Sequence, residues 1–441
     1  MSAQTSIPKH KFTRAASLLK TGVKIGGNYV KYYGRKVATG VDDRDSLHQS
    51  NAQDTYKTFS ELKGGPLKVA QMLSIDQNIL PVAYQEQFAQ AQYSAPALSY
   101  PLVVRTFRRE FGRSPEEIFE TFTKSAVNAA SIGQVHRATL NGHNFAVKVQ
   151  YPGVAESMKS DLQIVKPFAM RIIGMSSEEV DYYLSEVEER LLEETNYLLE
   201  LERSQRLTSL SKKLPEVHFP NYFPEYSSKR VLTMEWIEGL PLDQFIKTNP
   251  SQSTRDRLGQ AMWDFYHFQV HTLREFHADP HPGNFLITPD ERLTVLDFGC
   301  VKKLEDEFYR QYFQLLDSNR VVDDQEFVAM LEELEMLLPQ DGAEERKLLI
   351  GIYRESIEIL SRPFVGGEFD FGDPTYVQEI YEFGERMQSN LALKKLNSAR
   401  GSRHAIYLNR AYFGLYNLLA SLGSKIKVEM PELAKTRGIK V

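Results

Sequence analysis

Cysteine is nearly missing from this 441-residue sequence: Cys300 stands alone. One thiol excludes a disulfide framework and a cysteine-rich metal site, and an intracellular, reducing compartment is the simplest setting. Long apolar runs are missing too. No stretch reaches the roughly 18 apolar residues that mark a membrane-spanning helix, and the best late segment, Ala411 to Leu422, is short and follows Arg410. Internal repeats, low-complexity tracts and a Walker A sequence are absent. Acidic residues are absent from one place, Met1 to Val41.

What is present is ordinary in bulk. Hydrophobic residues make up 42% and charged residues 25%, which excludes disorder and collagen-like structure. The length suits roughly two to three units with sizeable cores. Lys and Arg number 53 against 58 Asp and Glu, a net charge of −5 that argues against whole-protein nucleic-acid binding. That net figure hides an uneven spread. Lys9, Lys11, Arg14, Lys20, Lys24, Lys31, Arg35 and Lys36 put +8 on the first 41 residues, so the other 400 carry −13.

On a helical wheel Phe12, Ala15, Ala16, Leu19, Val23, Val30 and Tyr33 fall on one face, with Lys20, Lys24, Lys31 and Arg35 on one flank. A basic amphipathic helix of this kind suits an anionic membrane surface. Packing on the body with solvated lysines is the plainer alternative, and a mitochondrial transit peptide is a third. Gly22, Gly26 and Gly27 weaken any helix there. The arm lacks the compact apolar core and cleavage site of a secretory signal. The expected location is cytoplasmic and peripheral at the inner face of a membrane, or mitochondrial if the arm is a transit peptide.

Residues 42–62 are polar and read as a loop entering a helix. Pro66 suits the start of a helix from Leu67 to about Ile75. Residues 102–123 read as helical, with a second short helix opening at Ser114-Pro115. Ser131 to Leu140 and Asn144 to Val149 read as strands around Asn141-Gly142, a hairpin signal. One long helix over about 177–210 follows, then a strand from Arg230 to Trp236 and a helix over 254–276. Two short strands, Phe285 to Ile287 and Leu293 to Leu296, flank Pro289-Asp290, and everything after about 305 reads as helical. The expected organisation is a basic arm over 1–60, a helical extension over 61–125, a strand-rich unit over 126–240 and a helical unit over 241–441.

Three separated pieces converge on phosphoryl transfer. Phe145-Ala146-Val147-Lys148-Val149 resembles the strand of kinases whose Lys reaches nucleotide phosphates, although a lone strand Lys is usually just solvated. His277-Ala278-Asp279-Pro280-His281-Pro282-Gly283-Asn284 has the Asp-to-Asn spacing of the kinase catalytic loop: a carboxylate for the nucleophile and an amide oxygen for a metal ion. A proline-rich turn with a capping Asp, or a zinc site on His277 and His281, are the alternatives. Pro280 and Pro282 disfavour the helix such a His pair needs. Asp297-Phe298-Gly299 follows a short strand, where a hard carboxylate fits Mg²⁺. The tripeptide alone is a chance event; its position after the second piece makes it informative.

A kinase Lys needs an acidic partner on a helix. Treating 177–210 as one helix, Val180, Tyr183, Leu184, Val187, Leu191, Leu198 and Leu201 form an apolar stripe that includes Glu194, while Glu200 falls well off it. A buried carboxylate needs a partner, so Glu194 is the expected mate of Lys148, and Glu193 belongs to a solvated face. The nucleotide base is expected against Met234, Glu235 and Ile237, where the strand ends; an ordinary edge strand is the alternative. Ahead of Lys148 no G-x-G-x-x-G loop occurs. Asn128-Ala129-Ala130-Ser131-Ile132-Gly133-Gln134 stands there instead, and no A-P-E segment follows Asp297. This is not an ordinary protein kinase.

Lys68-Val69-Ala70-Gln71, Ala129-Ala130-Ser131-Ile132-Gly133-Gln134-Val135-His136, Ala146-Val147-Lys148 through Val154, Asp279 to Asn284 and Asp297-Phe298-Gly299 together resemble the UbiB/AarF family. Its members are atypical protein-kinase-like proteins linked to quinone biosynthesis. The resemblance covers about residues 60–305. It implies an α+β, bilobal protein-kinase-like fold: a small β-rich N-lobe, a large helical C-lobe and a helical N-terminal extension. It implies nucleotide contacts from Ala129, Ala130, Ser131 and Lys148. It implies a K-x-G-Q helix, here Lys68 to Gln71 with Ala70 for Gly, covering the place of a peptide substrate. The family's alanine-rich loop usually begins with Ala where Asn128 stands. Its E-x-D-Y-x-x-E run matches Glu194 to Glu200 with Asn196 for Asp, which supports Glu194 and adds Glu200 as a weaker candidate.

The resemblance implies an atypical kinase or ATPase using ATP and Mg²⁺ at a membrane. It would support quinone or other isoprenoid-lipid metabolism, with a membrane lipid or quinone precursor and a lipid-biosynthesis protein complex as partners. Lys148, Glu194 and Asp279 would be catalytic, and Asn284 and Asp297 would bind the metal. A nucleotide-gated lipid-binding or chaperone module with little turnover is the second reading. A small-molecule kinase, with a similar H-x-D-x-x-x-x-N loop, is the third; Lys68 to Gln71 and the alanine-rich loop argue against it.

Overall fold

The computed structural model of the chain describes residues 11–39, 43–62, 66, 84, 99–129, 132–173, 188, 192–317, 321–365, 367–390, 392–393 and 400–428. Two compact units divide it. One is Met1–Arg206 with Pro220–Ile237; the other is Leu207–Phe219 with Glu238–Val441.

The first unit opens with α1 (Lys11–Thr39) and α2 (Arg44–Leu62), which pair antiparallel. Residues 44–62, expected to begin as a loop, are helical because α1 supplies polar partners that periodicity does not register. Thr21 bonds Thr58 at 2.6 Å, Lys24 Nζ donates to Asp54 Oδ1 at 2.5 Å, and Asn28 Nδ2 donates to Asn51 Oδ1 at 2.9 Å. Thr21 and Ile25 of α1 are buried, whereas Val23 and Val30, on the expected apolar face, are 77% and 73% exposed. The face that packs is therefore not the wheel's apolar one.

Helix α3 (Tyr100–Phe111) stops at Gly112, whose φ of 72° caps it. The helix expected to run to 123 is cut there; a Ser114–Glu117 capping box closes a 3₁₀ turn and β1 (Thr121–Phe122) follows. Next come β2 (Asn128–Ala129), β3 (Gly133–Leu140), β4 (His143–Gln150), α4 (Val154–Ile173), α5 (Tyr197–Leu210), β5 (Val217–His218) of the second unit, and β6 (Val231–Glu235). Asn141 and Gly142, both at positive φ, make the β3–β4 turn. The sheet runs β1-β3-β4-β6 with β2 on β3, all antiparallel.

Strand alternation sorts the two faces of β4. Phe145, Val147 and Val149 join Val103 and Phe107 of α3 in one core. Lys148 is therefore turned to the opposite face, in register between Val135 and Leu232. Burial of this apolar surface holds the sheet rigid under the charge.

The second unit holds β7 (Leu240–Pro241), α6 (Leu242–Ile246), α7 (Gln252–Phe268), β8 (Glu275–His277), β9 (Phe285–Ile287), β10 (Leu293–Val295) and β11 (Val301–Lys303). The helix expected over 254–276 ends early: Gln269–Leu273 is a π-helical turn, and Arg274 at φ 56° turns the chain into β8. Four strands pair as β5-β10-β9-β7, and β11 pairs with β8. Then come α8 (Asp306–Phe313), α9 (Asp324–Glu333), α10 (Ala343–Ser361), β12 (Gly367–Asp370), α11 (Pro374–Ser389), α12 (Arg403–Leu422) and β13 (Lys425–Val428). The tail is not wholly helical as expected, because β12 and β13 pair antiparallel. Leu408, Leu415, Leu419 and Leu422 of α12 are fully buried in the unit's core, which accounts for the late apolar run. Among the described residues no helix is long and apolar enough to cross a membrane.

Candidate active site

In the first unit Lys148 is 8% exposed, and a buried ammonium must be paired. Its Nζ donates to both carboxylate oxygens of Glu200, at 2.8 and 3.0 Å, and lies 5.0 Å from the Tyr197 ring centroid. Glu200, the weaker candidate on the wheel, is the carboxylate that receives Lys148, in place of the expected Glu194. The reason is a broken helix. Residues 192–194 are helical, Thr195 and Asn196 are not, and α5 restarts at Tyr197. A phase carried across that break misplaces residues after it: Leu198, expected in the apolar stripe, is 46% exposed, and Glu200, expected off it, is buried, although Leu201 is buried as expected. Glu193 accepts from Arg203 Nη1 at 2.9 Å.

The alanine-rich loop follows β2, whose Ala129 pairs with Gln134. Ala130 and Ser131 lie outside the described residues, as do Lys68, Ala70 and Gln71 of the expected covering helix. Gly133 is required by close approach: a Cβ there would stand 2.6 Å from the Val149 carbonyl oxygen and 2.7 Å from the Tyr197 hydroxyl. At the expected base-docking segment, Met234 is buried and pairs with Ala146. Glu235 is turned to Asn221: its N–H donates to the Asn221 carbonyl at 2.7 Å and its carboxylate accepts from Asn221 Nδ2 at 2.8 Å. Trp236 N–H donates to Asn144 O, and Ile237 is half-buried at the unit's edge.

In the second unit two loops are stapled at both ends. Ala278 N–H donates to Cys300 O at 2.8 Å, continuing the β8–β11 ladder. Leu296 N–H donates to Asn284 O at 3.0 Å, continuing the β9–β10 ladder. The hairpin thus brings Asn284 and Asp297 to one end. Asn284 Nδ2 donates to the Asp279 carbonyl at 2.9 Å, which locks the loop across its five-residue span. Gly299 N–H donates to Asp297 Oδ1 at 2.6 Å, and Phe298 is fully buried against Phe219, Phe265 and His277. Arg410 Nη2 donates to Asp279 Oδ1 at 2.9 Å. Burial, reinforced by the nearby Asp279 charge, pushes the Tyr266 hydroxyl well above its ordinary pKa.

The donor set fits Mg²⁺. That ion takes one or two protein oxygens and completes its shell with water and phosphates. Asn284, whose amide nitrogen is committed to Asp279, and the Asp297 carboxylate are such donors. The zinc alternative does not fit. His277 is fully buried beside the Tyr266 hydroxyl, and His281 Nδ1 accepts from Gly283 N–H at 3.0 Å. Among the described residues no group of three or more His, Cys, Asp or Glu side chains is set to hold a metal.

Sequence reasoning missed Arg410. It figured only as the residue preceding an apolar run; an Arg at the edge of a buried apolar run needs a carboxylate, and that was the available signal.

A solved Mycobacterium tuberculosis protein, Rv3197 in complex with erythromycin, matches the chain at a TM-score of 0.59, covering 90% of this chain and 97% of that one at 24% identity. The architecture is thus a kinase-like α+β fold. The sequence profile of the ABC1 atypical kinase-like domain matches residues 90–331. The chain is 28% identical to "Probable serine/threonine-protein kinase abkA" of Dictyostelium discoideum, over 95% of this chain and 78% of that protein. It is 28% identical to "Atypical kinase COQ8, mitochondrial" of Saccharomyces cerevisiae over 86% and 75%, and 32% identical to "ABC1 family protein C10F6.14c" of Schizosaccharomyces pombe over 70% and 58%. The chain belongs to the ABC1 atypical kinase-like family, the COQ8 group among its relatives, as the UbiB/AarF resemblance implied.

Proposed function

We propose that this atypical kinase binds ATP with Mg²⁺ and moves the γ-phosphoryl group at a membrane, in support of quinone or other isoprenoid-lipid metabolism. The observation that carries the reading is the buried Lys148–Glu200 pair, the ion pair a kinase needs before it can turn over. Lys148 would hold the nucleotide phosphates, with contacts to the nucleotide from Ala129, Ala130 and Ser131 as the family resemblance implies. Met234 and Ile237 would flank the base. Asn284 and Asp297 would hold Mg²⁺, whose charge offsets that of the phosphates. Asp279 would orient the nucleophile, water or a small acceptor. The covering helix that the family resemblance implies for Lys68 and Gln71 would disfavour a protein acceptor.

The outward face of α1 supports the membrane part. Val23, Val30 and Tyr33 are exposed, and so are Lys20 and Lys31 around them. Such a surface matches an anionic bilayer, a lipid or quinone precursor as acceptor, and a lipid-biosynthesis complex as partner. Relatives named mitochondrial and chloroplastic make an organelle the proposed location.

The test is ATP turnover by purified protein with Mg²⁺, with and without anionic vesicles, followed by mass spectrometry of an added lipid extract. Turnover that rises with vesicles, with a phosphorylated lipid or released phosphate, supports the reading. ATP binding without turnover would favour the nucleotide-gated lipid-binding module instead.

A further inference from the structure

We infer that Arg410 is a positioning residue for Asp279, and that α12 is the wall on which the catalytic loop is set. The inference rests on the phosphoryl-transfer reading and adds a residue outside the 90–331 stretch that the family profile matches. Two contacts one helical turn apart carry it. Arg410 Nη2 lies 2.9 Å from Asp279 Oδ1. At Gly414 a Cβ would stand 2.1 Å from Pro280 Cγ and 3.3 Å from the Pro280 carbonyl oxygen. Residues four apart share a helix face. That face of α12 therefore meets loop residues 279 and 280 in succession, and only glycine lets the helix backbone come so close.

The rest of α12 is fixed independently. Tyr412 hydroxyl meets His271 Nε2 at 3.1 Å, on the π-helical turn that precedes β8, and π-turns recur at functional sites. Lys302 Nζ lies 4.7 Å from the Tyr407 ring, tying the same helix to β11. The loop from His277 to Asn284 contains no Lys or Arg, so the guanidinium on Asp279 comes from α12. Arg410 and Asp279 are 15% and 22% exposed, which limits screening. A carboxylate that orients a nucleophile beside a triphosphate must keep one rotamer and stay ionised against like charge. The planar, permanently charged fork of Arg does both; a Lys supplies charge without the fixed geometry.

The experiment compares full-length Arg410→Met, Arg410→Lys and Gly414→Ala with wild type. Steady-state turnover of Mg²⁺ and ATP is read beside amide hydrogen exchange of the peptide spanning 277–284. Misplacing the loop by about an ångström lowers kcat of Arg410→Met about 10²-fold, the KM for ATP moves less than about threefold, and loop exchange rises. Arg410→Lys recovers about a tenth of the wild-type rate, and Gly414→Ala follows Arg410→Met. Wild-type kcat, or a raised kcat, in Arg410→Met overturns the inference; so does unchanged loop exchange, or a Lys variant no better than Met. If wild type binds ATP without turnover, the function is misread, and the exchange comparison alone still decides whether Arg410 and α12 position the loop.

Discussion

Lys148 and Glu200 form a buried ion pair, with Nζ 2.8 and 3.0 Å from the two carboxylate oxygens. Taking away one partner strands the other charge in a buried site, at a cost of about 3–5 kcal/mol. Glu200→Gln should therefore lower the denaturant midpoint sharply, while Glu194→Gln, on a half-buried segment, costs under about 1 kcal/mol. Equal costs, or the reverse order, would return the role to Glu194. Two histidines give a pH test. His136 is fully buried, its Nδ1 donating to Thr123 O at 2.7 Å and its Nε2 accepting from Gln134 at 2.9 Å; burial lowers its pKa, against a smaller upward pull from that backbone bond. Burial first, then His267 and Arg274, holds His271 well below its ordinary value. A folded pKa below the unfolded one means the unfolded chain takes up the proton first. Stability is then full above the unfolded value near 6.5 and lost as pH falls below it, by up to about 1.4 kcal/mol per pH unit for each histidine. Denaturation midpoints at neutral and mildly acidic pH should show the fall, and His136→Gln should flatten it. A midpoint that holds or rises on acidification contradicts this.

Among the elements, the legible ones were those whose signal is local. The β3–β4 hairpin announces itself by alternation and by Asn141-Gly142; Asp279, Asn284 and Asp297 announce themselves by spacing along one chain segment. The failures share a cause. Helix α2 is held by polar contacts to α1, β1 and β12 by partners far along the chain, and the partner of Lys148 by a helix break that periodicity passes over. The role of Arg410 needs a contact across 131 residues. Helix α1 shows the same limit from the other side: its wheel was right about an apolar face and silent about which face packs. With Val23 and Val30 outward, each exposed lysine beside an anionic bilayer contributes about 1 kcal/mol. Lys20→Gln with Lys31→Gln should weaken vesicle binding, and added salt should weaken the wild type. Binding indifferent to both would mean that α1 docks on protein instead.

For the whole molecule, the sequence has one cysteine and no long apolar run, and its net charge of −5 is the sum of a basic arm (+8) and an acidic body (−13). Each unit has its own core and its own part of the kinase inventory: Lys148 with Glu200 in one, Asp279 with Asn284 and Asp297 in the other. The central claim is that Asp297 serves a magnesium-dependent nucleotide site, and calorimetric titration of ATP tests it most directly. Wild type should bind ATP at least about tenfold more tightly with Mg²⁺ than without, and Asp297→Asn should lose that difference while still binding nucleotide. An undiminished magnesium dependence in Asp297→Asn, or no ATP binding by the wild type, would contradict it.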